Sequence, residues 1–222
     1  MIIPAIIAKD FEEKAKSRIS PSVLLMGQAL FIFMDIVYGK KPSLGKFRVL
    51  EVVARIPYQS WEVIHYFLTT HLYTNERRAI DLFNDSKFAR SAQDNETMHV
   101  VVITQMCKSE KTGTGILRFY ITPLLIAYLY AIFCLLFYFF TPRKAYELNY
   151  IFEDHAREQY AIFLANNEQF KEKPLKSKFL EVYGRTNANY YDFFAGVRDD
   201  EINHRDRSLE AMQEIDKRKQ RI

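Results

Sequence analysis

The chain is short of glycine and proline, seven of each in 222 residues, and no Gly/Pro/Ser-rich stretch or internal repeat divides it. That scarcity excludes a linker-separated pair of domains and repeat architectures, and leaves one domain over residues 1–222, large enough for a substantial core. Cysteine is scarcer still. Cys107 and Cys134 stand in apolar surroundings without paired spacing, which argues against a disulfide framework and for a reducing compartment. The net charge is only +4, with basic residues dispersed except for the closing run from Lys217 to Arg221, so nucleic acid is excluded as a partner. Residues 205–222 read as a basic C-terminal tail. The start, Met-Ile-Ile-Pro followed by Asp10, Glu12 and Glu13, lacks the charged start and apolar centre of a signal peptide and the acid-poor composition of a transit peptide.

Histidine is rare as well, and its placement is informative. Of five histidines, His99 and His204 each follow a glutamate by three residues, in Glu96-Thr-Met-His99 and Glu201-Ile-Asn-His204. Residues three apart share a helix face, so each pair can address one metal site. One such pair is weak evidence. Two pairs, together with Glu51 and Glu153 on separate helical segments, match the donor set of a two-iron carboxylate bundle: one Glu from each of two helices and a Glu-x-x-His from each of two others. Four buried carboxylates without cations would be costly, and two metal ions are the economical partner.

The hydropathy pattern predicts helical segments along the chain, and the donor count makes four of them an all-α, ferritin-like four-helix di-iron bundle, with two additional apolar segments outside it. Ligand-bearing helices are expected over 46–73, interrupted or kinked near Pro57, then 75–106, 147–170, and from about 189 onward. Tyr160 lies two turns beyond Glu153 and shares its face. Residues 21–38 are strongly apolar, with Gln28 and Asp35 the only clearly hydrophilic side chains, and 121–140 are uncharged throughout, closed by Thr141-Pro142-Arg143-Lys144. By length, 121–140 could cross a bilayer. A single crossing there would put the two halves of the metal site on opposite sides, so a helix lying in one leaflet is preferred, with Tyr128, Tyr130 and Tyr138 near the headgroups; a buried helix of a soluble protein is the alternative.

The phrases Leu50-Glu51-Val-Val-Ala-Arg55-Ile-Pro57-Tyr58, Asn95-Glu96-Thr-Met98-His99, Pro142-Arg143-Lys-Ala145-Tyr146, Glu153-Asp-His155-Ala156 and Arg198-Asp199-Asp200-Glu201 resemble, in order, the motifs of the alternative oxidases. The resemblance is strongest to the plastid terminal oxidase branch and covers about Phe47 to His204. It implies a monotopic, homodimeric, non-haem di-iron quinol oxidase that oxidises plastoquinol or ubiquinol and reduces O2 to water without pumping protons. Its place would be the thylakoid or cytoplasmic membrane, with residues 21–38 and 115–140 embedded in one lipid leaflet. Residue by residue, the resemblance implies iron ligation by Glu51, Glu96, Glu153 and Glu201, with His99 and His204 in or beside the coordination sphere. It makes Tyr160 the redox-active tyrosine and Asn95 and Asp200 the groups that orient the histidines. Quinol would contact Leu50, Ala156, Gln159 and Lys46, the last standing where the family has arginine. The connection 171–188 is shorter than in the plant plastid enzymes, and Thr97 and Val100 replace bulkier or more polar family residues. Another di-iron oxygenase, of hydroxylase or desaturase type, and a non-catalytic iron-binding membrane bundle are the competing readings.

Overall fold

A computed structural model describes residues 19–219; the N-terminal Met1–Pro4, Asp10, Glu12 and Glu13 and the C-terminal Gln220 and Arg221 lie outside them. Among the described residues the regular structure is helical, with one isolated antiparallel bridge between Pro174 and Asn189. In chain order the long helices are α1 (Pro21–Tyr38), α2 (Leu44–Leu72), α3 (Glu76–Ser109), α4 (Thr122–Phe140) and α5 (Pro142–Ala165). The short α6 (Lys178–Tyr183) and the long α7 (Tyr190–Lys219) follow.

Local chemistry sets the boundaries. Ser43 caps α2 by accepting from the Lys46 N–H at 3.3 Å, and Asn75 caps α3 through Arg78 N–H at 3.2 Å. Proline occupies the first turn of α1, α4 and α5, where its missing N–H costs nothing. This start signal places α5 five residues before the expected 147, and the helix ends at Ala165 rather than Phe170. α2 runs through Pro57 without a break. The expected tail from 205 is instead a continuation of α7, in which Arg205, Ser208, Leu209 and Met212 are buried. Its spacing of apolar residues against α5, rather than its charge, decides its placement.

Two helix pairs make the bundle. α2 returns along α3 through a three-residue turn, and α5 packs along α7. Aromatic side chains fill one end, where Phe47, Tyr160, Phe163, Phe193 and Phe194 interlock; Phe47 stacks on Tyr160 with centroids 4.1 Å apart. At the other end Tyr58, Trp61, Tyr138 and Tyr146 form a second cluster. α1 lies against α5, and α4 against α2 and α5.

α1 and the stretch Leu117–Phe140 that contains α4 are long and apolar enough to cross a membrane by length and composition, yet only 22% and 17% of an 18-residue window in each is buried. The reading of α4 as a buried core helix is therefore overturned: Leu124, Leu125, Leu129, Ile132, Leu136, Phe139 and Phe140 all face outward. Tyr138 departs from the headgroup expectation. It is buried, with its hydroxyl 2.7 Å from His65 Nε2 and 3.1 Å from the Tyr146 hydroxyl, whereas Tyr128 is exposed. Cys107 and Cys134 are free and buried.

A close backbone approach anchors the α3–α4 connection. Gly113, at φ +64°, meets Gly45 at the start of α2, and a Cβ on Gly45 would come within 3.0 Å of both the Gly113 Cα and the Phe119 ring. Backbone cannot yield as a flexible side chain does, so Gly45→Val should destabilise the protein by about 1–3 kcal/mol, read as a lower midpoint in chemical denaturation.

Candidate metal centre

Each of the four bundle helices contributes to one buried point. Glu51 comes from α2, Glu96 and His99 from α3, Glu153 from α5, and Glu201 and His204 from α7. The ligand atoms of Glu51, Glu96, His99 and Glu201 lie within 4.8 Å of one another, as do those of Glu96, Glu153, Glu201 and His204. Glu96 and Glu201 belong to both groups, so the two clusters abut and share two carboxylates.

Orphaned atoms test whether a cation fits. Both Glu96 oxygens, Glu201 Oε2 and His204 Nδ1 are buried without a hydrogen-bond partner. His204 Nδ1 stands 2.9 Å from Glu96 Oε1 but off the hydrogen-bonding direction. Buried polar atoms are rarely left unpaired, and a carboxylate and an imidazole nitrogen aimed at one space are the donors that hard-to-borderline divalent metals take. The residues present fit two metal ions.

Around these six, a surrounding layer fixes orientation. His99 Nε2 bonds Asp200 Oδ2 at 3.0 Å, while its Nδ1 is turned inward, 3.2 Å from Glu51 Oε2. Asp200 is in turn held by Asn95 Nδ2 at 3.3 Å and by the Arg185 guanidinium. Across the site Tyr58 donates to Glu153 Oε1 at 2.7 Å, and Asn149 Nδ2 reaches Glu153 Oε1, the Tyr58 hydroxyl and Ser208 Oγ within 3.1 Å. Tyr160 donates to Glu51 Oε1.

Charge is distributed unevenly over the six side chains. Burial, reinforced by Glu96, pushes Glu51 up to about 8, and burial with the surrounding carboxylates pushes Glu201 well above the ordinary range. Burial raises Glu153 as well. Burial would also raise Glu96, but His204 and His99 outweigh it and hold that carboxyl well below its usual value. The His99 imidazole is raised despite burial, because Asp200, Glu51 and Glu96 surround it. The opposed shifts of neighbouring carboxyls show how strongly this many acids interact in a dry space.

The structure thus brings together all six expected ligands, with Tyr160 on Glu51, Asp200 on His99, and Asn95 one step further out on Asp200. Tyr58, Asn149, Ser208 and Arg185 escaped the sequence reading. Asn149 precedes Glu153 by four residues and Tyr58 follows Glu51 by seven, spacings that place each on its ligand's helix face. Arg185 comes from the connection and carries no such signal.

An apolar cavity of about 120 Å³ leads to this centre between α1, α2, α4 and α5. Leu50 and Ala156 line it, together with Phe31, His155, Tyr160 and the carboxyl groups of Glu51 and Glu153. Two expected contacts are displaced. Lys46 is 2% exposed and clasped to Asp35 Oδ1 at 2.6 Å and to the Gly39 carbonyl at 3.0 Å, and Gln159 is not in the lining. An ammonium that finds an acid on the neighbouring helix is drawn to it and away from a cavity whose surface is almost wholly apolar. His155, stacked on Phe31 at 4.0 Å, supplies a polar group there instead.

Two Glu-x-x-His helices facing two Glu helices around one buried point define the di-metal carboxylate class of four-helix bundle. Within that class the family model for alternative oxidase matches residues 8–212, and the chain belongs to that family. It is 28% identical over 193 residues to "Ubiquinol oxidase 4, chloroplastic/chromoplastic" of Arabidopsis thaliana, covering 77% of this chain. The chain spans about half of that relative's length, 51%.

Asp200 touches no ligand oxygen but fixes the His99 ring. Asp200→Asn should lower metal affinity by about 10–100-fold, measured by competitive iron titration, with helix content unchanged.

Proposed function

We propose that the protein is a non-haem di-iron quinol oxidase, transferring electrons from two quinols to O2 and forming two waters without moving protons across a membrane. The observation that carries this reading is the apolar cavity that joins the flank of two outward-facing apolar helices to the carboxylate cluster. Glu51, Glu96, Glu153 and Glu201, with His99 and His204, would hold two iron ions. When bound, the iron pair supplies oxygen binding and reduction.

The chain's own residues do the rest. α1 and α4 would lie in one leaflet, since the ligand helices must share one side, and quinol would enter laterally between them. Plastoquinol and ubiquinol are the candidate substrates. Leu50, Ala156 and Phe31 would grip the ring, and His155, which burial keeps below its ordinary value, stays neutral to accept from a quinol hydroxyl. Tyr160 holds its proton on Glu51, since burial and the neighbouring acids push the phenol well above its ordinary range. A hydroxyl in that position can give up proton and electron together. The aromatic packing around it keeps water away. A homodimer attached to a thylakoid or cytoplasmic membrane completes the reading.

Oxygen uptake by iron-loaded protein supplied with each quinol in turn is the decisive measurement. An oxidase consumes oxygen with quinol alone; a hydroxylase or desaturase needs a separate reductase and modifies a product, and an iron-binding bundle stops once its iron is oxidised. Tyr160→Phe should leave iron content intact and lower quinol oxidation at least about tenfold, roughly 1.4 kcal/mol of barrier. Turnover at the parent rate would reduce Tyr160 to packing.

A further inference from the structure

A second cavity, about 380 Å³, lies at the other end of the bundle, enclosed by α2, α3, α7 and the α4–α5 junction. It shares no lining residue with the metal-side cavity. Its size is that of a small-molecule site. Ile64, Leu68, Leu82, Phe88, Phe139 and Ile215 supply the apolar part of the wall, and charged side chains from α3 and α7 supply the rest. Of its seven charged side chains, Arg207 pairs with Glu210 at 2.8 Å and Arg218 with Asp81 at 3.7 Å; Arg78, Asp85 and Glu214 complete the set, and burial pushes the Asp85 carboxyl above its ordinary value.

A polar triad, all three members in the lining, gives the cavity its chemistry. His65 Nε2 lies 2.7 Å from the Tyr138 hydroxyl, which lies 3.1 Å from the Tyr146 hydroxyl. His65 is 2% exposed, and its Nδ1 is buried with no partner. Burial holds this imidazole down to about 4, so it is neutral at neutral pH. The neutral triad carries three hydrogens, one on each phenol and one on the ring, and its two internal bonds use two. When Tyr146 donates to Tyr138 and Tyr138 to Nε2, the remaining N–H is at Nδ1. An uncharged acceptor, a carbonyl oxygen, satisfies it.

We propose that this cavity binds a quinone, head first, with a ring carbonyl on His65 Nδ1 and the tail leaving past Phe139; this rests on the quinol oxidase reading above. The polarity gradient decides between amphiphiles. A phospholipid would place its charge at the mouth and its acyl chain on the triad, leaving Nδ1 unpaired at a cost comparable to a lost hydrogen bond. A quinone carries its acceptor at the tip. Phe139 is 57% exposed and belongs to the outward apolar face of α4, so wall and apolar surface are continuous. The site is distinct from the cavity that reaches Tyr160, and binding there needs no iron.

Trp61 is the single tryptophan of the chain and touches the triad, with ring centroids 4.5 Å from Tyr146 and 5.4 Å from Tyr138. The test titrates the iron-loaded 222-residue protein with an oxidised short-chain benzoquinone, which cannot turn over, by equilibrium dialysis and Trp61 quenching. Two quinones per chain are expected. His65→Leu should weaken one of them about tenfold, with iron content and the other affinity unchanged, and Ala211→Phe, which fills the cavity, should remove it. Ala156→Phe should remove only the metal-side quinone. If Ala211→Phe fails to fold by circular dichroism, His65→Leu alone decides. One quinone per chain, lost in Ala156→Phe and unaffected in His65→Leu, overturns this inference and leaves the oxidase reading standing. No bound quinone overturns both. A phospholipid recovered from the parent protein and lost from Ala211→Phe, with no second quinone, makes this a lipid site and overturns the proposal.

Discussion

Four carboxyl groups brought out of water to one point set the terms for the rest of the structure. Each would be costly to bury charged and alone, so the bundle surrounds them with two imidazoles, two phenols and the Asn149 amide aimed inward. The arrangement leaves oxygen and nitrogen atoms unpaired at the centre, where a cation would meet them. Helix register follows from this requirement. Glu and His three apart on α3 and α7 must face the same point as single Glu residues on α2 and α5, which fixes the rotation of all four helices at once.

The same geometry explains why the centre was readable from sequence. Ligands on a helix obey its period, so Glu96/His99 and Glu201/His204 announce both the helix and the face that turns inward. The supporting groups obey it more loosely: Asn149 and Tyr58 share faces with Glu153 and Glu51, but nothing in their residue types marks them among many similar neighbours. Arg185 reaches Asp200 from a connection whose path depends on tertiary packing. Lys46 and Tyr138 went astray for a related reason. A cation near an apolar site and a tyrosine in an apolar helix suggest solvent-facing or headgroup roles until the partners, Asp35 and His65, are seen on other helices. The end of α7 was obscured by its surface charge, which hides the buried stripe of Ser208, Leu209 and Met212.

The outer helices are held differently from the bundle. α4 spends little of its surface on the protein, and the buried part is concentrated at Pro123, Cys134 and Tyr138. An apolar helix so placed needs an apolar environment on its other side. It also closes one wall of the metal-side cavity through Ile126 and Tyr130, so whatever surrounds α4 borders the path to the carboxylates.

α1 presents the sharper case. Two apolar surfaces in contact have no preferred register, and a helix lying on another could slide along it at little cost. Polar ties prevent this at each end: the Ser20 N–H donates to Glu147 Oε2 at 2.8 Å, and Asp35 takes the Lys46 ammonium. Between them Gly27 sits against Ile151, where an added methyl would come within 3.1 Å, so the helices touch closely midway. Glu147 is itself gripped by Arg143, which reaches Asp216 on α7. The consequence is mechanical. Phe31 keeps its place over His155 because α1 is pinned like a ruler at both ends, and the bore of the channel is therefore set by polar ties that are not part of its lining.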